Sequence, residues 1–267
     1  AYNYFHHNTI FEGDDNGIRT YHYCEFNRFE SNVIYNQTVG IFIHEGYNNT
    51  LWNNTLFYNE AGIYMRYSHE NNITDNNMTA NSRYGLEIYS SHRLNVINNS
   101  VVNNAYEGIR VRSSSKNGTY LGNEILDNLR YGIFCDNANA ANNTFFKNTF
   151  ETNLVSNGYD NGTTNNWNGN YWDDYTTQLG ALAKDSNDDW IGDAPYLLNG
   201  SSISYDNEPW FWDPIVFTIT TPTDLTPFAS NPPSFTLDIS EGIPENIWYS
   251  FDGGTTKTLF PHGDLTL

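Results

Sequence analysis

The sequence predicts an all-β protein: a parallel β-helix of about six to seven coils of 22–24 residues, then an irregular C-terminal cap and a partial β-sandwich segment. Three observations predict it. A Gly-apolar-x-apolar phrase recurs at a near-constant step, asparagine gathers at the bends between short alternating segments, and no stretch carries a 3.6-residue apolar period.

The phrase stands at Gly17-Ile18, Gly40-Ile41, Gly62-Ile63, Gly85-Leu86, Gly108-Ile109 and Gly132-Ile133, at intervals of 23, 22, 23, 23 and 24 residues. A second phrase, Asn-x-apolar, keeps the step at Asn8-Thr9-Ile10, Asn32-Val33-Ile34, Asn54-Thr55-Leu56, Asn123-Glu124-Ile125 and Asn148-Thr149-Phe150. A third series runs through Asn27, Asn49, Asn72, Asn95 and Asn143. A leucine-rich repeat would need a Leu scaffold that is absent, and a propeller blade needs about 40 residues. A coil of roughly 22 residues with three short strands instead stacks about 4.8 Å above the last. An Asn at a bend then pairs its side-chain amide with the Asn of the next coil. Ile41, Ile63 and Leu86 should therefore lie in register in one parallel sheet.

Composition excludes several classes. Acidic residues outnumber basic ones 31 to 12, giving a net charge of −19. That balance argues against nucleic acid, which needs clustered Lys and Arg. About 40 asparagines supply most of the polarity, and Asn with Gly disfavours helix interiors. No apolar run approaches the roughly 18 residues of a membrane span. The opening Ala1-Tyr2-Asn3 falls in mid-pattern, as expected of a piece of something longer. Cys24 and Cys135 lie five coils apart, roughly 24 Å, so no disulfide is expected; Cys135 shares a column with Ile43, Met65, Ile88 and Val111 and reads as core.

Beyond the coils come Asn166-Trp167-Asn168-Gly169-Asn170-Tyr171-Trp172-Asp173-Asp174-Tyr175 and Asp185-Ser186-Asn187-Asp188-Asp189-Trp190-Ile191-Gly192-Asp193-Ala194-Pro195-Tyr196. With the 22-residue coils, these blocks resemble the NosD-type right-handed β-helix proteins, within the carbohydrate-binding and sugar-hydrolase β-helix superfamily. The resemblance covers roughly residues 1–214. The expected setting is extracellular or at the cell surface, or periplasmic in a Gram-negative bacterium, where a polysaccharide or surface glycan and other envelope proteins are the expected partners. The resemblance specifies architecture rather than activity, since members range from accessory factors for copper enzymes to surface polysaccharide binders. From about Ile215, Thr, Pro and Ser replace Asn, and Phe235–Ile239 and Ile247–Phe251 read as strands resembling the start of an immunoglobulin-like module. The expected division is 1–155 coils, 156–214 cap and 215–267 immunoglobulin-like segment.

Four candidate sites follow. Asp185, Asn187, Asp189, the carbonyl of Ile191 and Asp193 have the spacing of the first part of a Ca²⁺ loop, although Trp190 stands where Gly is usual. Outward positions of the Gly-phrase strand hold Arg19 and Tyr21, Phe42 and His44, Tyr64 and Arg66, Glu87 and Tyr89, Arg110 and Arg112, Phe134 and Asp136. Rings interleaved with planar Arg suit sugar, so Tyr21, Phe42, His44, Tyr64, Arg66, Tyr89, Arg110, Arg112 and Phe134 are the carbohydrate-binding candidates. The same face gives two rival readings, a polysaccharide lyase or glycoside hydrolase using Arg66, Glu87 and Arg110, and a stalk or adhesin module whose strand face only pairs rung on rung. His69 and His92, one coil apart, offer copper too few soft ligands, so copper is not expected. Among the N-x-[ST] sequons, Asn48, Asn53, Asn98 and Asn142 should be exposed glycan acceptors, whereas Asn72 and Asn77 should be buried in the ladders.

Overall fold

A computed structural model describes residues 2–180, 184–186 and 190–210, and the backbone of five further strands between 216 and 266. The chain divides into two units. The first, residues 1–184 and 191–211, is the β-helix and its cap.

Each coil contributes one strand to each of three sheets. The first sheet begins with Tyr4–His6, Arg28–Glu30 and Thr50–Trp52, and the second with Thr9–Phe11, Val33–Tyr35 and Thr55–Phe57. The third holds seven longer strands, Asn16–Glu25, Val39–Tyr47, Ala61–Arg66, Tyr84–Tyr89, Ile109–Arg112, Tyr131–Cys135 and Ser156–Asp160. Strands of successive coils pair in parallel, with Ile41 opposite Ile63 and Ile63 opposite Leu86 as the repeat requires, and the first sheet ends on an antiparallel pair, Tyr196–Leu197 with Tyr205–Asp206. The coils continue past residue 155 through Ser156–Asp160, Asn166–Asn168 and Tyr171–Trp172. There the phrase changes from aliphatic to aromatic, but the inward middle position persists: Trp167 follows Phe145, and Trp172 follows Phe150.

Apolar side chains at these inward positions build the core, and Phe29, Ile34, Ile41, Ile43, Leu51 and Leu56 are fully buried. Burial of such side chains contributes roughly 1.5–3 kcal/mol each. The Gly phrase has a steric cause. A Cβ on Gly62 would lie 2.6 Å from the Gly85 carbonyl oxygen, and one on Gly85 would lie 2.4 Å from Val101 Cγ1. Cys24 and Cys135 are free, and Cys135 packs in the core beside Val111.

Three columns of buried amides run the length of the stack. The second contains Asn8, Asn32, Asn54, Asn76, Asn99, Asn123, Asn148 and Asn170, each donating from Nδ2 to Oδ1 of the next. The third runs from Gln37 through Asn59, Asn81, Asn104, Asn128 and Asn153 to Asn157. The first holds Asn3, Asn27, Asn49 and Asn71, is interrupted by Leu94 and Gly118, and resumes at Asn143 and Asn165. Asn27, Asn49 and Asn143 of the expected series lie in this column, and the series is off by one residue at Asn72 and Asn95. Asn72, Asn77 and Asn95 are outward strand residues, Asn77 exposed and Asn72 half-buried, because in Asn71-Asn72 and Asn76-Asn77 the preceding residue takes the bend. Asn48, Asn53, Asn98 and Asn142 are exposed in the left-handed conformation immediately before a ladder residue.

Along unbroken stretches each asparagine donates from Nδ2 to the next coil on its C-terminal side, so that end presents N–H groups needing acceptors. Each column ends on a carboxylate. Asn170 donates to Asp206 at 2.9 Å, Asn165 to Asp160 at 2.9 Å, and Asn157 to Asp173 and Asp174 at 2.7 and 2.9 Å. Asp160 and Asp206 are fully buried. Over these ends, Tyr196 stacks on Trp172 at 4.2 Å and Tyr175 donates to the Ala194 carbonyl.

The second unit, residues 185–190 and 212–267, has antiparallel pairs: Val216–Thr221 with Thr236–Glu241, Thr236–Glu241 with Leu265–Thr266, and Ile247–Tyr249 with Thr258–Phe260. Two of these strands fall where the sequence pattern places them, and the rest of the immunoglobulin-like expectation lies outside the described residues.

Candidate functional site

The outward face of the third sheet brings nearly all the expected sugar-binding residues together. Tyr21 stacks on His44 with centroids 4.7 Å apart, Phe42 on Tyr64 at 5.0 Å, and Phe134 lies 5.0 Å from Tyr159. His44, Arg66, Tyr89 and Arg112 occupy successive rungs of one column, and Phe42, Tyr64, Glu87, Arg110 and Phe134 those of the other. The face is more closed than alternation alone suggests. Phe42, His44 and Glu87 are each more than nine-tenths buried, because bulky side chains on rungs under 5 Å apart cover one another. Tyr21 remains about half exposed.

Sequence reasoning missed a third column, Tyr84, Glu107 and Tyr131. It lies immediately before the Gly of the phrase, and the bend there turns these side chains onto the same face. Tyr84 Oη accepts from Arg110 Nη1 at 2.5 Å and from Arg83 Nη2 at 2.9 Å, while Tyr131 stacks on Phe134 at 4.9 Å. Glu107 is buried and pairs with Arg130 at 3.2 Å, and burial pushes its carboxyl above the usual range.

The charges fall into two sets. Glu87 accepts from Arg112 at 2.8 Å, and Asp136 sits 3.6 Å from Arg110 and 3.8 Å from Arg112, so two acids and two bases neutralise one another. Arg66 stands apart. Its guanidinium lies 5.3 Å from the Tyr67 ring centroid and 5.8 Å from that of Tyr89, and it has no ion pair among the described residues. His44 lies beside Glu45, Nε2 to Oε1 3.6 Å, and Glu45 also holds His22 at 2.6 Å. Burial holds the His44 imidazole below its ordinary value, with Glu45 opposing and Arg66 assisting.

Residues 2–177 match the family described as periplasmic copper-binding protein (NosD). The chain belongs to the NosD family. No curated protein matches it. Among solved structures, the NosD-type coil is similar to the periplasmic alginate epimerase AlgG, at 19% identity and a TM-score of 0.52, over 62% of this chain and 46% of that one. It is also similar to the A-module of the Azotobacter vinelandii mannuronan C-5 epimerase AlgE4, at 17% identity and a TM-score of 0.51, over 62% of this chain and 54% of that one. Pectate lyase Pel9A aligns at 15% identity and a TM-score of 0.49, over 79% of this chain and 72% of that one. The chain thus spans about half of either epimerase, and the likeness is one of fold.

The family's description raises copper, and the residues present do not suit it. His69 and His92 stack at 4.6 Å, but His69 Nδ1 is occupied, accepting the His92 backbone N–H at 2.9 Å. Met65 and Met78 are buried in the core, and no three of His, Cys, Asp and Glu among the described residues gather to hold a metal. The pair makes stability depend on pH instead. Burial holds both imidazoles below the ordinary 6.5, so the unfolded chain takes up protons first. Their contribution is complete above about pH 6.5 and is lost as the pH falls from there to the lowered folded values. Chemical denaturation between pH 7 and 5 should show a shallower loss of stability in the double variant His69→Phe, His92→Phe than in the parent; parallel slopes would contradict this.

Of the calcium-type phrase, Asn187 and Asp189 lie outside the described residues. Trp190 at position six has φ 67°, the left-handed conformation for which Gly is usual there, and its N–H donates to Asp185 Oδ2 at 2.8 Å. Ile191 pairs with Trp210, and Asp193 donates its N–H to the Lys184 carbonyl. No helix among the described residues is long and apolar enough to cross a membrane.

Proposed function

We propose that the outward face of the third sheet binds a polysaccharide outside the cytoplasm, in the periplasm or at the cell surface. One observation carries the reading: rings at Tyr21, Phe42, Tyr64, Tyr89, Tyr131, Phe134 and Tyr159 line a single face, with arginines between them. Sugar rings offer CH faces to such aromatics and hydroxyls to the polar groups beside them. The shared fold with two epimerases whose names specify alginate and mannuronan supports the ligand class.

Binding fits the charges better than catalysis. Glu87 and Asp136 are held by arginines, and a general base needs a lone pair free to reach its proton. Glu107 favours the second reading, a lyase or hydrolase, since a buried carboxyl raised in pKa can donate a proton. A glycan array, with products assayed for new reducing ends and unsaturated sugars, separates the two. The expected result is retention of a polysaccharide without scission, abolished in a Phe42→Ala, Tyr64→Ala variant that still folds. Absence of any glycan ligand, or undiminished binding by that variant, overturns the proposal; scission abolished by Glu107→Gln selects the second reading.

A further inference from the structure

Five side-chain polar atoms on this face are buried and without a hydrogen-bond partner; three belong to Arg110, Arg112 and Glu107, each in an arginine–carboxylate pair, and the other two lie on adjacent rungs. One is Arg66 Nε; the other is His44 Nδ1, on a residue more than nine-tenths buried. An unpaired buried polar atom costs about 1–3 kcal/mol and calls for an explanation. The two differ in what they ask for. Arg66 can only donate, and it is the one arginine of the face without a carboxylate among the described residues. Glu45 beside Nε2 of His44 favours the proton there, which leaves Nδ1 as an acceptor. The rings of Tyr21, stacked on His44, and of Tyr64, on the same strand as Arg66, flank the pair.

Resting on the glycan reading above, we propose that Arg66 and His44 form a subsite for a uronate unit of the bound chain, its carboxylate on Arg66 and a neighbouring hydroxyl on His44 Nδ1. A planar guanidinium with an open edge suits a carboxylate, and an acceptor alongside selects a hydroxy acid over a simple anion. The other two central arginines are already matched by Glu87 and Asp136, so the face holds one unmatched positive charge at this point. The net charge of −19 repels a polyanion at long range, so recognition must be local.

The test compares polygalacturonate and polymannuronate, each beside its carboxyl-reduced neutral form, at about 0.15 M salt, where charges more than roughly 8 Å apart are screened. The parent should bind at least one polyuronate about tenfold to a hundredfold tighter than its neutral counterpart, the range of one charge-assisted pair. Arg66→Gln should lose that preference by weakening only the acidic form, Arg66→Lys should keep part of it, and His44→Phe should weaken both forms alike. A parent that binds both forms equally overturns the subsite and leaves the glycan-binding face standing. A parent that binds none of the four overturns both. Should Arg66→Gln fail to fold, the parent's ratio and the Arg66→Lys variant decide.

Discussion

Replacing Asp206 with Asn will release the C-terminal cap and cost about 3–6 kcal/mol. Asp206 Oδ1 accepts from the Gly169 and Glu208 amides at 3.0 and 3.2 Å, and Oδ2 from the Asn170 amide, Asn170 Nδ2 and Trp172 Nε1 at 2.9, 2.9 and 3.0 Å. An asparagine keeps one oxygen. Whichever way it is placed, its NH₂ faces two or three donors that the carboxylate satisfied, and bonds to a charged group contribute about 1.5–3 kcal/mol each. The stack is quasi-one-dimensional, so the damage should begin at the last coil and pass inward only if that coil opens. Trp167 and Trp172, both buried, report it directly. Their fluorescence should red-shift at lower denaturant in Asp206→Asn than in the parent, with amide exchange accelerating first across 166–172. A loss below about 1 kcal/mol would show that the carboxylate does not terminate the ladder.

The second large effect belongs to the middle of that column. Asn123 Oδ1 accepts from the Asn99 amide and from Asn99 Nδ2 at 2.9 and 3.0 Å, and its Nδ2 donates to the Val96 carbonyl and to Asn148 Oδ1, both at 2.9 Å. Leucine has nearly the same volume and none of these bonds. Four buried hydrogen bonds would be lost, at about 0.5–1.5 kcal/mol net apiece, while Asn99 Nδ2 keeps the Ile73 and Ile97 carbonyls and Asn148 Oδ1 keeps the Asn123 amide, so Asn123→Leu should destabilise by about 2–6 kcal/mol. Asn71 provides the comparison, since the chain itself puts Leu94 in the next place and Asn71 Nδ2 reaches only the Gly46 carbonyl. Asn71→Leu should therefore cost visibly less in the same denaturation experiment. Equal losses would mean that the columns act through volume rather than hydrogen bonding.

The coil was legible because its two signals are enforced by packing. Glycine recurs where the next coil's carbonyl oxygen lies within 3 Å of a would-be Cβ, and apolar residues recur where the strand faces inward. Ladder phase was less legible. Asparagine stands at both residues of Asn71-Asn72 and Asn76-Asn77, and spacing alone cannot tell which one takes the bend. The terminators carry no periodic signal, because Asp160, Asp173 and Asp206 each end a column once, and Asp206 comes 36 residues after the amide it receives. At the candidate site, alternation identified the residues facing outward. It gave neither their burial, which comes from rung-on-rung contact, nor the column of Tyr84, Glu107 and Tyr131, which a bend rather than alternation turns onto the face.

A rival surface exists on the second sheet, where Phe11, Tyr35 and Phe57 stack at 5.4 and 4.9 Å. There the rings stack along the column as Phe42 and Tyr64 do, but no arginine lies over them among the described residues. Hydroxyl-radical footprinting with the glycan that an array selects puts the two surfaces against each other in one experiment. Ligand protection is expected at Tyr21, Tyr64, Tyr89 and Phe134, with Phe11, Tyr35 and Phe57 oxidised at the same rate with and without glycan. Protection of the second-sheet rings, with Tyr64 and Tyr89 unchanged, would contradict that expectation.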